Sequence, residues 1–149
     1  MTEIGFYHLT ATPLERALPR LLARTLQAGR RAVVLAGSVD RVQALNGLLW
    51  TYEEAAWLPH GSARDGHAAE QPVWLTAVEE NPNAATYLFL TDGVAAADLG
   101  AWERVFDLFD GRDDAAVAAA RGRWKAAREA GHSLTYWRQT DGGGWEKAG

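Results

Sequence analysis

The chain has 149 residues, of which 48% are hydrophobic and 23% are charged, and its formal net charge is −4 at pH 7. These values are typical of one globular domain and exclude bulk disorder, while the negative charge argues against broad, nonspecific DNA binding. Cysteine is absent, which excludes disulfides and thiolate metal sites. Because no signal peptide and no membrane-length apolar run is recognisable, we expect a cytoplasmic protein without membrane contact.

The first half of the chain alternates predicted strands and helices. Short apolar runs predict the strands. Leucines at helical spacing predict the helices, and the Thr-Pro pair or Ser that precedes each run of leucines predicts an N-terminal cap. The predicted elements are a strand at 4–9, a helix from Thr12-Pro13 to Gly29, a strand at 31–36, and a helix from Ser38 to Trp50. This order favours an α/β sheet with parallel neighbours and right-handed crossovers.

The second half continues the same architecture. We expect the polar, glycine-containing segment 61–71 to be a mobile loop. The other predicted elements are strands at 55–60, 73–76, 86–90 and 105–109, a helical turn at 98–102, a helix at 113–130, and a hairpin of 134–138 with 144–147. The sequence therefore predicts one α/β domain over 1–149, with an open, mostly parallel twisted sheet, helices on both faces and a C-terminal hairpin.

The predicted helix 113–130 carries a basic stripe around one tryptophan. At about 100° per residue, its members cover roughly a quarter of the circumference, and Arg123 points elsewhere. The stripe consists of Arg121, Trp124, Lys125 and Arg128, and a second side collects Ala116, Ala119, Ala120 and Ala127 for docking on a sheet. In an acidic protein, such a stripe favours an anionic, partly apolar partner. The alternative is a solvated helix face on which Trp124 only covers the edge of the core.

The strand-helix order also raises the alternative of a nucleotide site, but the expected motifs are missing. The turn after the second strand has Gly37 alone, where a dinucleotide-binding turn has three glycines. No two histidines have the spacing that would put two metal ligands on one helix face, and we expect His60 and His67 to be solvated. Asp92 follows a strand, yet beside Gly93 a turn-forming role is favoured. The sequence gives no case for a catalytic residue, a metal or a cofactor.

Seven segments, taken in order, resemble a known family over nearly the whole chain. The specific features are a Leu-Trp pair followed by aromatic-x-Pro-His, and a helix with the pattern Arg-x-x-aromatic-Lys-x-x-Arg. The matching segments are 6–9, the helix before Gly29, 30–36, 48–50, 57–60, 121–131 and the strand that follows. Together they resemble the chi subunit of bacterial DNA polymerase III.

The resemblance implies a Rossmann-like open α/β sheet without a nucleotide site, and a non-catalytic protein. It implies that the chain joins the clamp-loader assembly through a small partner, psi, or an equivalent component. It also implies binding of the acidic, phenylalanine-ended C-terminal tail of the single-stranded-DNA-binding protein. The family's tail-binding residues correspond to Arg121, Trp124, Lys125 and Arg128. Trp57 stands where the family has an aromatic residue on the neighbouring strand.

Three further expectations concern partners. Seven tryptophans exceed what one small core and one peptide pocket require, so we predict a second, mostly apolar partner surface with Trp50 as a candidate. Internal packing of Trp50 is the alternative. A helicase is a further candidate partner, whereas strong direct binding to nucleic acid is not expected.

The alternative function, favoured only by the sheet order, is a nucleotide-dependent α/β enzyme or a degenerate nucleotide-binding domain.

Overall fold

The computed structural model describes residues 2–51, 60–62 and 66–148, with the side chains of residues 50 and 51 excepted. Eight strands and three α-helices lie in these ranges. In chain order they are β1 (Glu3–Leu9), α1 (Leu14–Gln27), β2 (Ala32–Leu35), α2 (Val39–Thr51), β3 (Gly61–Ser62), β4 (Val73–Thr76), β5 (Tyr87–Leu90), β6 (Arg104–Asp110), α3 (Asp114–Glu129), β7 (Ser133–Gln139) and β8 (Trp145–Lys147). No described helix is both long and apolar enough to cross a membrane.

The strands form one sheet in the order β3-β4-β2-β5-β6-β1-β7-β8. All neighbouring strands are parallel except β7 and β8, which form the C-terminal hairpin. The connection from β1 to β2 and that from β6 to β7 run in opposite directions along the sheet. Since both crossovers follow the right-handed rule, α1 and α3 lie on opposite faces. The prediction of an open, mostly parallel α/β sheet with helices on both faces is confirmed.

Each face of the sheet carries its own hydrophobic core. Alternation along β1 sends Tyr7 to the face covered by α1 and α2, and Phe6 to the face covered by α3. We call these the α1 face and the α3 face. Fully buried residues on the α1 face include Leu18 and Leu22, and burial of each such side chain contributes about 1.5–3 kcal/mol.

Helix starts agree only in part with the predicted caps. The hydroxyl of Ser38 accepts a hydrogen bond from the backbone N–H of Arg41 at 3.1 Å, which confirms the predicted cap of α2. The prediction that Thr12 caps α1 was wrong. Pro13 occupies the cap position without a side-chain hydrogen bond, and the Thr12 hydroxyl instead accepts from the Gln139 amide at 2.6 Å.

The segment after α2 departs further from its prediction. Gly61 and Ser62, expected in a mobile loop, form β3 because their backbone pairs with the open edge of β4. His60 was predicted to be solvated, and that was wrong, since its ring is buried beside α2 with Nε2 3.3 Å from the Asn46 carbonyl. His67 is exposed as expected. The predicted strand at 55–60 lies outside the described residues except for His60.

The C-terminal hairpin is tied to the start of α1 by one buried side chain. The Oε1 atom of Gln139 accepts three backbone N–H bonds, from Thr10, Ala11 and Thr12, at 3.2, 2.9 and 2.9 Å. Its amide nitrogen donates to the Thr12 hydroxyl and to the Gly143 carbonyl. One amide group therefore satisfies the three backbone N–H groups of the β1–α1 loop and holds the hairpin turn beside it.

We expect Gln139→Leu to lower the free energy of unfolding by about 2–4 kcal/mol, because three backbone donors lose their acceptor at once. Urea denaturation measures the change. Gln27→Leu is the matched control, since Gln27 is exposed at the last position of α1 and should change stability by about 0.5 kcal/mol or less. Similar losses in the two variants would contradict the role given to Gln139.

Candidate functional site

Helix α3 begins at a capped position and docks through fewer alanines than the sequence indicated. The Asp113 carboxylate accepts from the N–H groups of residues 115 and 116. Ala120 and Ala127 are buried against the sheet, each about 3% exposed. Ala119, predicted to dock, is exposed, and Ala116 is only half-buried. That part of the alanine-face prediction was wrong, because the helix is rotated so that Arg123 also faces the sheet.

Arg123 forms a buried ion pair with Asp107 of β6. Its Nε and Nη2 atoms donate to the two carboxylate oxygens at 2.7 and 3.0 Å, and the side chains are 15% and 3% exposed. Burial raises the pKa of Asp107, and the guanidinium of Arg123 opposes that shift. Arg123 lies off the basic stripe, as predicted. It is also a structural anchor of α3, which the sequence did not indicate.

A cavity of about 190 Å³ lies between α3, β1 and β7. The Trp124 ring packs edge-on against Phe6 at 5.2 Å and against Tyr136 at 5.9 Å, measured between ring centroids. The residues that line the cavity are Phe6, Phe109, Val117, Ala120, Arg121, Trp124 and Tyr136. We call this the α3 cavity. It places an arginine of the predicted stripe beside an aromatic pocket, which is the arrangement that an anion carrying an apolar group requires.

His8 closes one side of the same aromatic cluster. Its Nδ1 atom is hydrogen-bonded to the Tyr136 hydroxyl, and its ring packs against Phe109 at 5.1 Å. The ring lies so close to the backbone after β6 that a Cβ atom on Gly111 would overlap it. Burial lowers the pKa of His8, with Arg138 and Arg121 adding to the effect. Burial also raises the pKa of Tyr136, so both groups favour their neutral forms.

The charged residues of the stripe remain free for a partner. Arg121, Lys125 and Arg128 are exposed, and none of them forms an ion pair with another described residue. The structure thus places four of the predicted site residues on one side of α3. Trp57, the fifth, lies outside the described residues, and so does the side chain of Trp50.

Sequence reasoning missed the aromatic walls of the α3 cavity. Phe6 and Tyr136 lie opposite each other in the parallel register of β1 with β7, and both alternate towards α3. The two-residue periodicity of each strand was visible in the sequence. The pairing of the first strand with the last long strand was not, because it depends on a crossover that leaves β1 inside the sheet.

A larger crevice lies where nucleotides bind in open α/β sheets, outside the carboxyl ends of β1, β5 and β6. Its volume is about 510 Å³. The Asp92 carboxylate accepts the Gly37 N–H at 3.0 Å and pairs with Arg41, which also pairs with Glu15 at 2.7 Å. The Asp92 carboxylate therefore already accepts the backbone N–H that could otherwise bind a phosphate. Among the described residues, no group of three or more possible metal-binding side chains is clustered.

Comparison with known proteins identifies the family. A sequence profile described as "DNA polymerase III chi subunit, HolC" matches residues 1–135. A probable DNA polymerase III subunit chi from Rickettsia prowazekii (strain Madrid E) is 32% identical over 90 residues, which cover 60% of this chain. The match spans 54% of that relative, so about half of its length is represented here. The C-terminal half of β7 and all of β8 follow the matched residues.

We expect Arg123→Met to lower the free energy of unfolding by about 3–5 kcal/mol, because it leaves the Asp107 carboxylate buried without its partner. The double variant Arg123→Met/Asp107→Leu should recover most of that loss, since both charges are then replaced by apolar groups. Chemical denaturation of the two variants measures the difference. A double variant as unstable as the single one would show that α3 depends on the packing of Arg123 rather than on its charge.

The lowered pKa of His8 predicts a pH dependence of stability. The folded chain binds this proton less readily than the unfolded chain, in which the histidine has a pKa of about 6.5. The free energy of unfolding should therefore rise with pH across this value. The stability contributed by neutral His8 should be lost as pH falls through the pKa of the folded state. Urea titrations at about pH 5 and about pH 7.5 should show a smaller rise for His8→Gln than for the wild type. An equal rise would contradict the assignment to His8.

Proposed function

The chain belongs to the DNA polymerase III chi-subunit family, and we propose that it links the clamp-loader assembly to the single-stranded-DNA-binding protein by holding that protein's acidic C-terminal tail. Family membership gives the chain an accessory role in DNA replication. In our proposal the role is non-catalytic and consists of contacts with other proteins. The observation that carries the proposal is the combination, on one side of α3, of an aromatic cavity with three exposed cations that form no ion pair with any described residue.

The two parts of such a tail suit the two parts of this surface. A terminal phenylalanine can enter the α3 cavity, where Phe6, Trp124 and Tyr136 provide edge-on aromatic contacts. The terminal carboxylate then lies beside Arg121, whose guanidinium can donate two parallel hydrogen bonds to it. Lys125 and Arg128 extend the positive surface along α3 towards the acidic residues that precede the phenylalanine. Trp57 is a further wall of the pocket in this proposal.

The energetics assign most of the affinity to the aromatic residue. Exposed ion pairs contribute about 0.2–1 kcal/mol each, so three of them stabilise the complex only modestly. A buried aromatic anchor contributes more, and affinity should be micromolar, about −8 kcal/mol. The cations then determine which tails bind and how strongly salt weakens the complex.

On the clamp-loader side we propose psi or an equivalent component as the partner, with Trp50 at the C-terminal end of α2 as the candidate contact. A helicase is a second candidate for the same surface. The family assignment supports a partner within the polymerase assembly.

The alternative of a nucleotide-dependent enzyme has less support. The crevice at the carboxyl ends of the strands has the right location, but Asp92 takes the Gly37 N–H. Four carboxylates line the crevice, and the three arginines beside them already form ion pairs with carboxylates of the chain. An incoming phosphate would meet repulsion from these carboxylates. Titration with ATP and NAD tests the alternative directly, since saturation at micromolar concentration would favour it.

We expect Lys125→Glu to weaken binding of an acidic, phenylalanine-ended peptide at least about tenfold, which corresponds to about 1.4 kcal/mol. The substitution reverses a charge facing the peptide, and the exposed position leaves the docking side of α3 intact. Thermal stability should therefore change little. Fluorescence anisotropy of a labelled peptide at two salt concentrations measures the affinity, and thermal melts measure the stability.

Arg112→Glu is the matched control for this experiment. It makes the same charge change at an exposed residue just before the N-terminus of α3, where negative charge is tolerated. Its described ion-pair partner, Asp110, is also exposed, so losing that pair should cost little. Arg123→Glu would be unsuitable, because it places a carboxylate against buried Asp107. If Lys125→Glu and Arg112→Glu weaken binding equally, only net charge matters, and the stripe is not a specific site.

A further inference from the structure

A second group of unpaired cations lies on the opposite side of the molecule, along α1. Arg16, Arg20 and Arg24 are spaced four residues apart, so they form a row on the exposed side of the helix about 12 Å long. None of the three forms an ion pair with another residue in the described ranges. The single acidic residue of α1, Glu15, is paired with Arg41. We call this row the α1 ridge, and nothing on its own helix neutralises it.

The α1 ridge ends at an aromatic cavity of about 250 Å³ between α1 and the C-terminal hairpin. Its walls include the rings of Tyr7, Trp137 and Trp145, with Arg24 of the ridge beside them. Trp145 contacts Tyr7 edge-on at 5.0 Å, and Trp137 lies nearly parallel to Tyr7 at 6.2 Å, so the walls support one another. We call this the hairpin cavity. Its size suits one large apolar side chain rather than a drug-sized molecule.

Arg104 adds a preorganised anion receptor to the hairpin cavity. Its guanidinium lies over the ring of Phe106 at 4.7 Å and over that of Tyr87 at 5.5 Å. It is half-buried and forms no ion pair within the part of the chain that the structure describes. The two rings and a hydrogen bond to the Tyr7 hydroxyl hold the guanidinium in place, so its remaining N–H groups can meet a carboxylate at little entropic cost.

This surface is independent of the α3 cavity. Tyr7, Trp137 and Trp145 pack with the core of the α1 face, whereas Trp124 and Tyr136 pack with that of the α3 face. The two tryptophans of the hairpin cavity also follow residue 135, where the match to the chi-subunit profile ends. The surface therefore depends on a segment outside the matched part of the chain.

We propose that the α1 ridge and the hairpin cavity together bind an acidic peptide segment of a partner protein. One large apolar side chain of the segment occupies the hairpin cavity. A neighbouring carboxylate meets Arg104 and Arg24, and further carboxylates lie along Arg20 and Arg16. Charge complementarity identifies the occupant. Arg24 and Arg104 line the cavity, Arg20 and Arg16 continue the row away from it along α1, and no acidic side chain is among the described residues that line the cavity.

A peptide fits these observations better than single-stranded nucleic acid. Nucleic-acid bases need exposed ring faces on which to stack. One face of the Trp137 ring is directed at Tyr7, and the rings of Trp137 and Trp145 are both half-buried. The net charge of −4 also opposes the approach of a long polyanion more than that of a short segment with a few carboxylates. Nucleic acid is therefore a competing outcome of the test.

The test is a two-dimensional NMR titration of the full ¹⁵N-labelled chain with the amidated peptide acetyl-Asp-Asp-Glu-Phe-Asp-Asp. This peptide lacks a terminal carboxylate. We expect shifts of α1 amides and of the Trp137 and Trp145 indole N–H signals. Arg24→Glu should weaken the binding measured at these signals at least about fivefold, whereas Arg112→Glu, with the same charge change, should have less than about a twofold effect.

Two variants and a second probe decide the outcome. Lys125→Glu should leave the signals of the α1 ridge and the hairpin cavity responsive, because that residue lies on the other face of the sheet. Shifts confined to α3, or equal losses in Arg24→Glu and Arg112→Glu, would overturn the proposal. A single-stranded thymidine oligonucleotide that binds the same residues more tightly than the peptide would also overturn it, in favour of a nucleic-acid surface.

Discussion

The buried ion pair between Arg123 and Asp107 determines how α3 is rotated on the sheet. A helix that docks through alanines alone can slide or turn at small cost, because small side chains interlock weakly. A buried carboxylate permits no such freedom, since losing its partner costs several kcal/mol. With Arg123 directed at β6, the helical repeat turns Trp124 towards β1 and β7 and the cations of the stripe towards solvent. The candidate site therefore depends on a charge pair that does not belong to it.

The sheet topology explains why two cationic surfaces can coexist on an acidic chain. Both helical crossovers beside β1 are right-handed, but they run in opposite directions, so α1 and α3 cover opposite faces. Each presents an exposed row of arginine or lysine, and each row ends at an aromatic cavity built partly from β1. Alternation along that strand gives Phe6 to one cavity and Tyr7 to the other. A central strand thus supplies adjacent residues to two separate surfaces.

Periodicity in the sequence was sufficient for most of the fold and for the stripe on α3. It predicted the strand-helix order, the hairpin and the exposed positions of Arg121, Lys125 and Arg128, because local patterns determine these features. It could not distinguish Arg123 from its neighbours, since the pairing with Asp107 joins two elements that only the folded sheet brings together. For the same reason it missed the burial of His60 and the partnership of Phe6 with Tyr136. Tertiary contacts decide such features, and no local pattern records them.

The C-terminal hairpin makes most of its stabilising contacts on one face of the sheet. Gln139 fastens the hairpin to the loop that starts α1, and Trp145 packs on Tyr7 beside the same helix. Both contacts are made on the α1 side. The α3 cavity takes only Tyr136 from this region, and its other described walls lie within the matched residues 1–135. The hairpin therefore adds apolar surface and order beside the α1 ridge, whereas the α3 cavity takes a single wall from this region.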